Sequence, residues 1–103
     1  MNKGASEQDM RQALAQVRHP EIACTLVELG MLKDITVGSN KVTLTLVLPF
    51  MGIPIQVKDY LTDSLRQALA NVETSLEVEM NMAEMSEKER TKFLEMAREG
   101  WLG

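Results

Sequence analysis

Three side chains able to hold a metal stand within the six residues HPEIAC: His19, Glu21 and Cys24. An imidazole, a carboxylate and a thiol could together make a weak metal site. The plainer reading of the same residues is a buried thiol beside a solvated histidine and glutamate, because free cysteine is among the most buried residue types. Glu77 and Glu79 are a second candidate, since carboxylates two apart on an extended chain share a side and could serve as acid and base. Alternation alone also puts polar residues there, on the solvated face of a sheet with Thr43 and Thr45.

The third candidate is apolar. Pro49, Phe50, Met51, Gly52, Ile53 and Pro54, followed by Ile55, make a hydrophobic connection where a surface loop is expected. Exposed, it is a protein-docking patch, for a second copy of this chain or for another protein. Folded back, Phe50 and Ile53 are satellite core. The two prolines fix φ at its ends, so the loop loses little entropy when it is touched.

The elements around these residues follow from periodicity. Val42, Leu44, Leu46 and Leu48 alternate with Thr43, Thr45 and Val47, a half-buried strand. From Val57 the apolar residues recur as Leu61, Leu65, Ala68, Leu69 and Val72, one face of a helix. The apolar connection is therefore the join between a strand and a helix. Upstream, Ser6 is a good N-cap for a first helix that carries Met10, Ala13, Leu14 and Val17 and stops near Arg18, because His19 precedes Pro20. Residues 19–31 form a compact loop with a helical turn at TLVEL, and Gly30 supplies the positive φ that turns the chain into a strand. Residues 32–37, the tight turn Gly38-Ser39-Asn40 and residues 41–48 make a hairpin.

Downstream, residues 71–74 turn the chain and SLEVEMNM alternates as a third strand, parallel to the second through the helical crossover. Ser86 and Glu89 form a capping box that opens a last helix. Its stripe of Phe93, Leu94, Ala97 and Trp101 docks on a partner or on the chain's own sheet. The expected fold is α+β, a three-stranded mixed sheet of hairpin plus parallel crossover strand, with two helices on one face and a C-terminal helix. The expected core is Leu14, Val17, Leu26, Val27, Ile35, Val37, Leu44, Leu46, Leu61, Leu65, Leu69, Leu76, Val78 and Met80.

Composition narrows the functions. A chain of 103 residues with 45% apolar content can bury a core as one domain over 1–103, with 1–5 and 99–103 loose at the ends. A net charge of −4 without a Lys/Arg cluster argues against nucleic acid. No apolar run approaches the ~18 residues of a membrane span, no secretory leader is evident, and the one cysteine cannot form an internal disulfide, so a cytoplasmic protein is expected. One His, one Cys and no Gly-rich phosphate loop leave little for catalysis, and binding rather than turnover is the expected mode.

Helix, the His19-Pro20-Glu21 loop, Val27-Glu28-Leu29-Gly30-Met31-Leu32-Lys33-Asp34-Ile35, hairpin, Gly52-Ile53-Pro54, helix and strand resemble the metal-sulfur cluster biosynthesis family. That family includes PaaD-like and SufT-like proteins, and its domain also forms the N-terminal part of Mrp-type cluster carriers. The resemblance spans about residues 8–90 and implies this fold. It also implies an accessory role in iron-sulfur cluster assembly or iron-sulfur protein maturation, with assembly components or client apoproteins as partners. Family members read Asp-Pro-Glu at 19–21 and Pro-Gly-Cys-Pro at 51–54. Here His19 and Ile53 replace the Asp and the Cys, so no stable cofactor is expected, only a transient iron or iron-sulfur cluster, with Cys24 as a displaced ligand. The alternative is a degenerate relative that keeps the fold as an interaction or oligomerisation module without a metal role.

Overall fold

The computed structural model describes residues 7–73 and 75–102. Its elements are α1 (Glu7–Ala15), β1 (Leu32–Val37), β2 (Lys41–Leu48), α2 (Ile55–Val72), β3 (Glu77–Glu84) and α3 (Glu87–Gly100). The sheet has the order β1-β2-β3, with β1 antiparallel and β3 parallel to β2. Fold class, hairpin and parallel crossover are as the sequence predicts. Ser6, the expected cap of α1, and residues 1–5 lie outside the described residues.

Periodicity explains the main packing. Val42, Leu44 and Leu46 of β2 are fully buried, as are Leu61, Leu65 and Leu69, which recur every four residues along α2. α1 packs alongside α2 and adds Met10 and Leu14 to the same core. The parallel pairing sets Val78 opposite Val42 and Met80 opposite Leu44, but β3 is an edge strand, so Leu76, Val78 and Met80 are only half-buried.

The opposite side of the sheet differs from expectation. Val47 is fully buried and Thr45 nearly so, whereas alternation marked that side as solvated. α3 reaches this side, since its Arg90 bonds the Pro49 carbonyl just beyond Val47 and its Phe93 is buried in the same core cluster as Val47. The helix is turned from its expected setting. Phe93 is buried and Met96, Ala97 and Arg90 are half-buried, while Leu94 and Trp101 are exposed, so the inward stripe runs 90-93-97-100. The Ser86–Glu89 capping box is present in full. Toward the C-terminus Gly100 is still helical, and Trp101 bridges Ile22.

α1 ends at Ala15, three residues before the expected stop. The Val17 carbonyl accepts from the Leu26 N–H at 2.9 Å and the His19 N–H donates to the Cys24 carbonyl at 3.0 Å, so the chain from 17 to 26 folds back on itself. Then comes a turn stapled by Thr25 and Glu28: the Thr25 N–H donates to Glu28 Oε1 at 2.8 Å and the Glu28 N–H to Thr25 Oγ1 at 3.1 Å. Gly30 closes it at φ 75°, with bonds from Gly30 N to Val27 O and from Met31 N to Leu26 O. This geometry turns Leu26, Leu29 and Met31 inward and leaves Val27 45% exposed, which removes Val27 from the expected core.

Candidate functional site

β2 ends at Leu48 and α2 begins at Ile55, so the connection 49–54 runs between the C-terminal end of the central strand and a helix N-terminus. Pro54 is the N-cap, at φ −57° and ψ 145°; it offers no side-chain cap, and no acidic residue stands in the first turn of α2. Exposure and burial both occur in the loop, on different residues. Pro49 is buried and Ile53 half-buried against the core, whereas Phe50 and Met51 are 46% and 47% exposed and Ile55 is 67% exposed. Gly52 is open to solvent, and a Cβ there would meet nothing within 4 Å.

Sequence reasoning missed Arg90. Its Nε donates to the Pro49 carbonyl at 2.8 Å, and its guanidinium carbon lies 5.1 Å from the centre of the Phe50 ring, within cation–π range. The available signal was its place three residues before Phe93 on α3, one helical step along the face that turns inward.

His19, Glu21 and Cys24 share one loop, but among the described residues no group of three or more His, Cys, Asp or Glu side chains is disposed to hold a metal ion. Cys24 is half-buried, and its Sγ lies 3.7 Å from where a Cβ on Gly100 would be. That contact is at the end of α3, whereas Arg90 reaches the 49–54 connection from its start. Ten residues of helix, about 15 Å, separate the two ends. Glu77 and Glu79 are exposed and pair with Lys41, whose Nζ lies 2.9 Å from Glu79 Oε1, so they form a surface ion cluster.

His19 Nδ1 accepts from the Glu21 N–H at 3.0 Å, which requires that nitrogen to be unprotonated. Burial holds the imidazole below the ordinary histidine range, and the nearby Glu21 carboxylate only partly opposes this. A lowered folded-state value means that the unfolded chain takes up the proton first. The stability from neutral His19 is therefore present above about pH 6.5 and lost as pH falls through the folded value. Urea denaturation at pH 7 and pH 5 checks this: His19→Asn, which keeps an acceptor but cannot titrate, is expected to lose less stability over that interval than the wild type. An equal loss in both would assign the pH dependence to other groups.

Comparison with known proteins agrees with this architecture. The family described as iron-sulfur cluster assembly protein matches residues 7–80, from the start of α1 into β3. The iron-sulfur cluster carrier proteins of Mycobacterium bovis and Mycobacterium tuberculosis are 31% identical to this chain over 90 residues. The alignment covers 86% of this chain but only 23% of each carrier, so the chain spans less than a quarter of the length of these relatives. The crystal structure of a domain of unknown function from Bacillus anthracis has the same fold, with a TM-score of 0.67 at 20% identity over 88% of this chain and 91% of that one. With nearly three quarters of its length matched, from α1 through the hairpin and α2 into the parallel strand, the chain belongs to the iron-sulfur cluster assembly protein family, the PaaD-like and SufT-like group.

Proposed function

We propose that this chain is a non-catalytic accessory in iron-sulfur cluster assembly or iron-sulfur protein maturation, and that it works by contact with other proteins. The observation that carries the reading is the pair Phe50 and Met51, half-exposed on a proline-bracketed connection at the start of α2. A rigid apolar loop presented to solvent is a contact surface that loses little ordering entropy on binding. Its partners are assembly components or client apoproteins, or a second copy of the chain, and the chain acts as one cytoplasmic domain without nucleic acid or membrane.

The cluster is cargo in this reading. The connection offers a metal only the Met51 thioether, so iron or a cluster passes transiently, with other ligands coming from the partner. A second reading is favoured by the same residue inventory. With Ile53 at the family's cysteine position, the chain keeps the fold as an interaction module without a metal role.

The test is cluster acquisition by an apo-[4Fe–4S] protein supplied with iron and sulfide. Wild type is expected to accelerate acquisition, and Phe50→Asp to abolish the acceleration by stranding a carboxylate in a desolvated contact. Because Phe50 is half-exposed, its melting temperature is expected to change little. No acceleration by wild type defeats the accessory role. A large fall in melting temperature for Phe50→Asp would instead return Phe50 to the core.

A further inference from the structure

This inference rests on reading 49–54 as a contact surface and concerns what holds that surface in shape. Among the described residues one side chain is hydrogen-bonded to the connection, and it comes from 41 residues further along the chain. Arg90 Nε donates to the Pro49 carbonyl at 2.8 Å, Nη2 donates to the Met85 carbonyl at 3.1 Å and lies 3.4 Å from Glu84 Oε2, and the guanidinium sits over the Phe50 ring. An arginine only 25% exposed, with its planar donors turned onto backbone carbonyls, is fixing a geometry rather than solvating a surface.

The helix that supplies it is lightly buried. Phe93 is the one buried side chain of α3. It is pinned at both ends. At its start Arg90 grips the connection. At its end the Ala23 N–H donates to the Gly100 carbonyl at 2.7 Å, and a Cβ at Gly100 would come within 3.3 Å of Ala23 N and Ile22 Cγ2.

We propose that Arg90 is the positioning residue of the contact surface and α3 its strap, so that docking of α3 and presentation of Phe50 and Met51 are one equilibrium. A helix with so little burial opens at lower free energy than the sheet it covers. When it lifts, the Pro49 carbonyl loses its donor and the Phe50 ring its cation, and the connection relaxes. By linkage, a partner that seats on the presented form holds α3 down.

Chymotrypsin cleavage after Phe50, located by mass spectrometry on the full chain, reads the state of the connection without a partner. Arg90→Met, which keeps the stem and removes the donors, is expected to speed this cleavage about tenfold or more, while amide exchange in β2 is unchanged. Gly100→Leu, at the far end of α3, is expected to give the same acceleration. The double variant should be no faster than either, since both release one strap. Arg90→Lys, which can satisfy one carbonyl but not two carbonyls and a ring, should fall between.

The proposal is overturned if cleavage after Phe50 is unchanged in Arg90→Met, or if wild type is already cut as fast as the denatured chain. Loss of β2 protection in both single variants would also overturn it, by making α3 part of the core. None of these outcomes bears on the contact reading, which Phe50→Asp decides in the cluster-acquisition assay.

Discussion

Leu65→Ala is expected to lower the unfolding free energy by about 2–5 kcal/mol, the range for emptying a leucine site in a packed core. Leu65 is fully buried, one turn from Leu61 and one turn from Leu69, both also fully buried, so it sits in the middle of the face that α2 lays on the sheet. The loss has two parts: the transfer energy of the removed carbons, and the contacts forfeited around a cavity that the neighbouring leucines can only partly fill. Urea denaturation measures it through the midpoint at constant slope. Val27→Ala is the internal comparison, because Val27 is apolar and near the core in sequence yet 45% exposed, and its cost should stay below about 1 kcal/mol. Equal losses at the two positions would mean that the face of α2 is assigned wrongly.

The contrast between these residues shows where the sequence was informative. Leu65 was legible because an 18-residue helix repeats its pattern several times, so one face stands out against any local exception. Val27 was not, since the segment from Thr25 to Gly30 is a single turn, whose orientation depends on the Thr25–Glu28 bonds and the positive φ of Gly30 rather than on a period. Thr-x-x-Glu before Gly was in plain view as a capped turn, and applying that rule would have turned Val27 outward while keeping Leu26 inward as expected.

The second face of the sheet was harder to read. Thr45 beside Val47 looks like an alternating solvated side until something covers it, and the cover comes from a helix some forty residues away. Its rotation is set by contacts that no pattern encodes: the close approach of Gly100 to Ala23, and an arginine whose donors end on backbone carbonyls. Of the candidate site, the apolar run from Pro49 to Ile55 was legible from composition, but not which of its residues are exposed. The split between the exposed Phe50 and Met51 and the half-buried Ile53 required the structure, because it depends on how the chain leaves β2.

Ile53→Cys is the substitution expected to change the chemistry most, and Cys24→Ser is the background in which to make it. Position 53 immediately precedes the N-cap of α2, whose first turn has neither a side-chain cap nor an acidic residue. A thiol there stands next to the start of α2, where the free N–H groups of a first helical turn and the positive end of the dipole favour the thiolate, the form that alkylates and binds metal. With Cys24 removed, the new thiol is expected to alkylate at pH 7 several times faster than an ordinary cysteine with a pKa near about 8.5. Anaerobic addition of iron and sulfide is expected to give a visible chromophore that neither wild type nor Cys24→Ser develops stably. The half-buried Ile53 also contributes packing, so a loss of about 1 kcal/mol should accompany the gain. Alkylation at an unperturbed rate, with no uptake of iron, would show that this helix start does not activate a thiol. A chromophore in wild type that Cys24→Ser abolishes would place the ligand in the 19–24 loop after all. One that survives Cys24→Ser would mean that neither the loop nor position 53 accounts for metal binding in this chain.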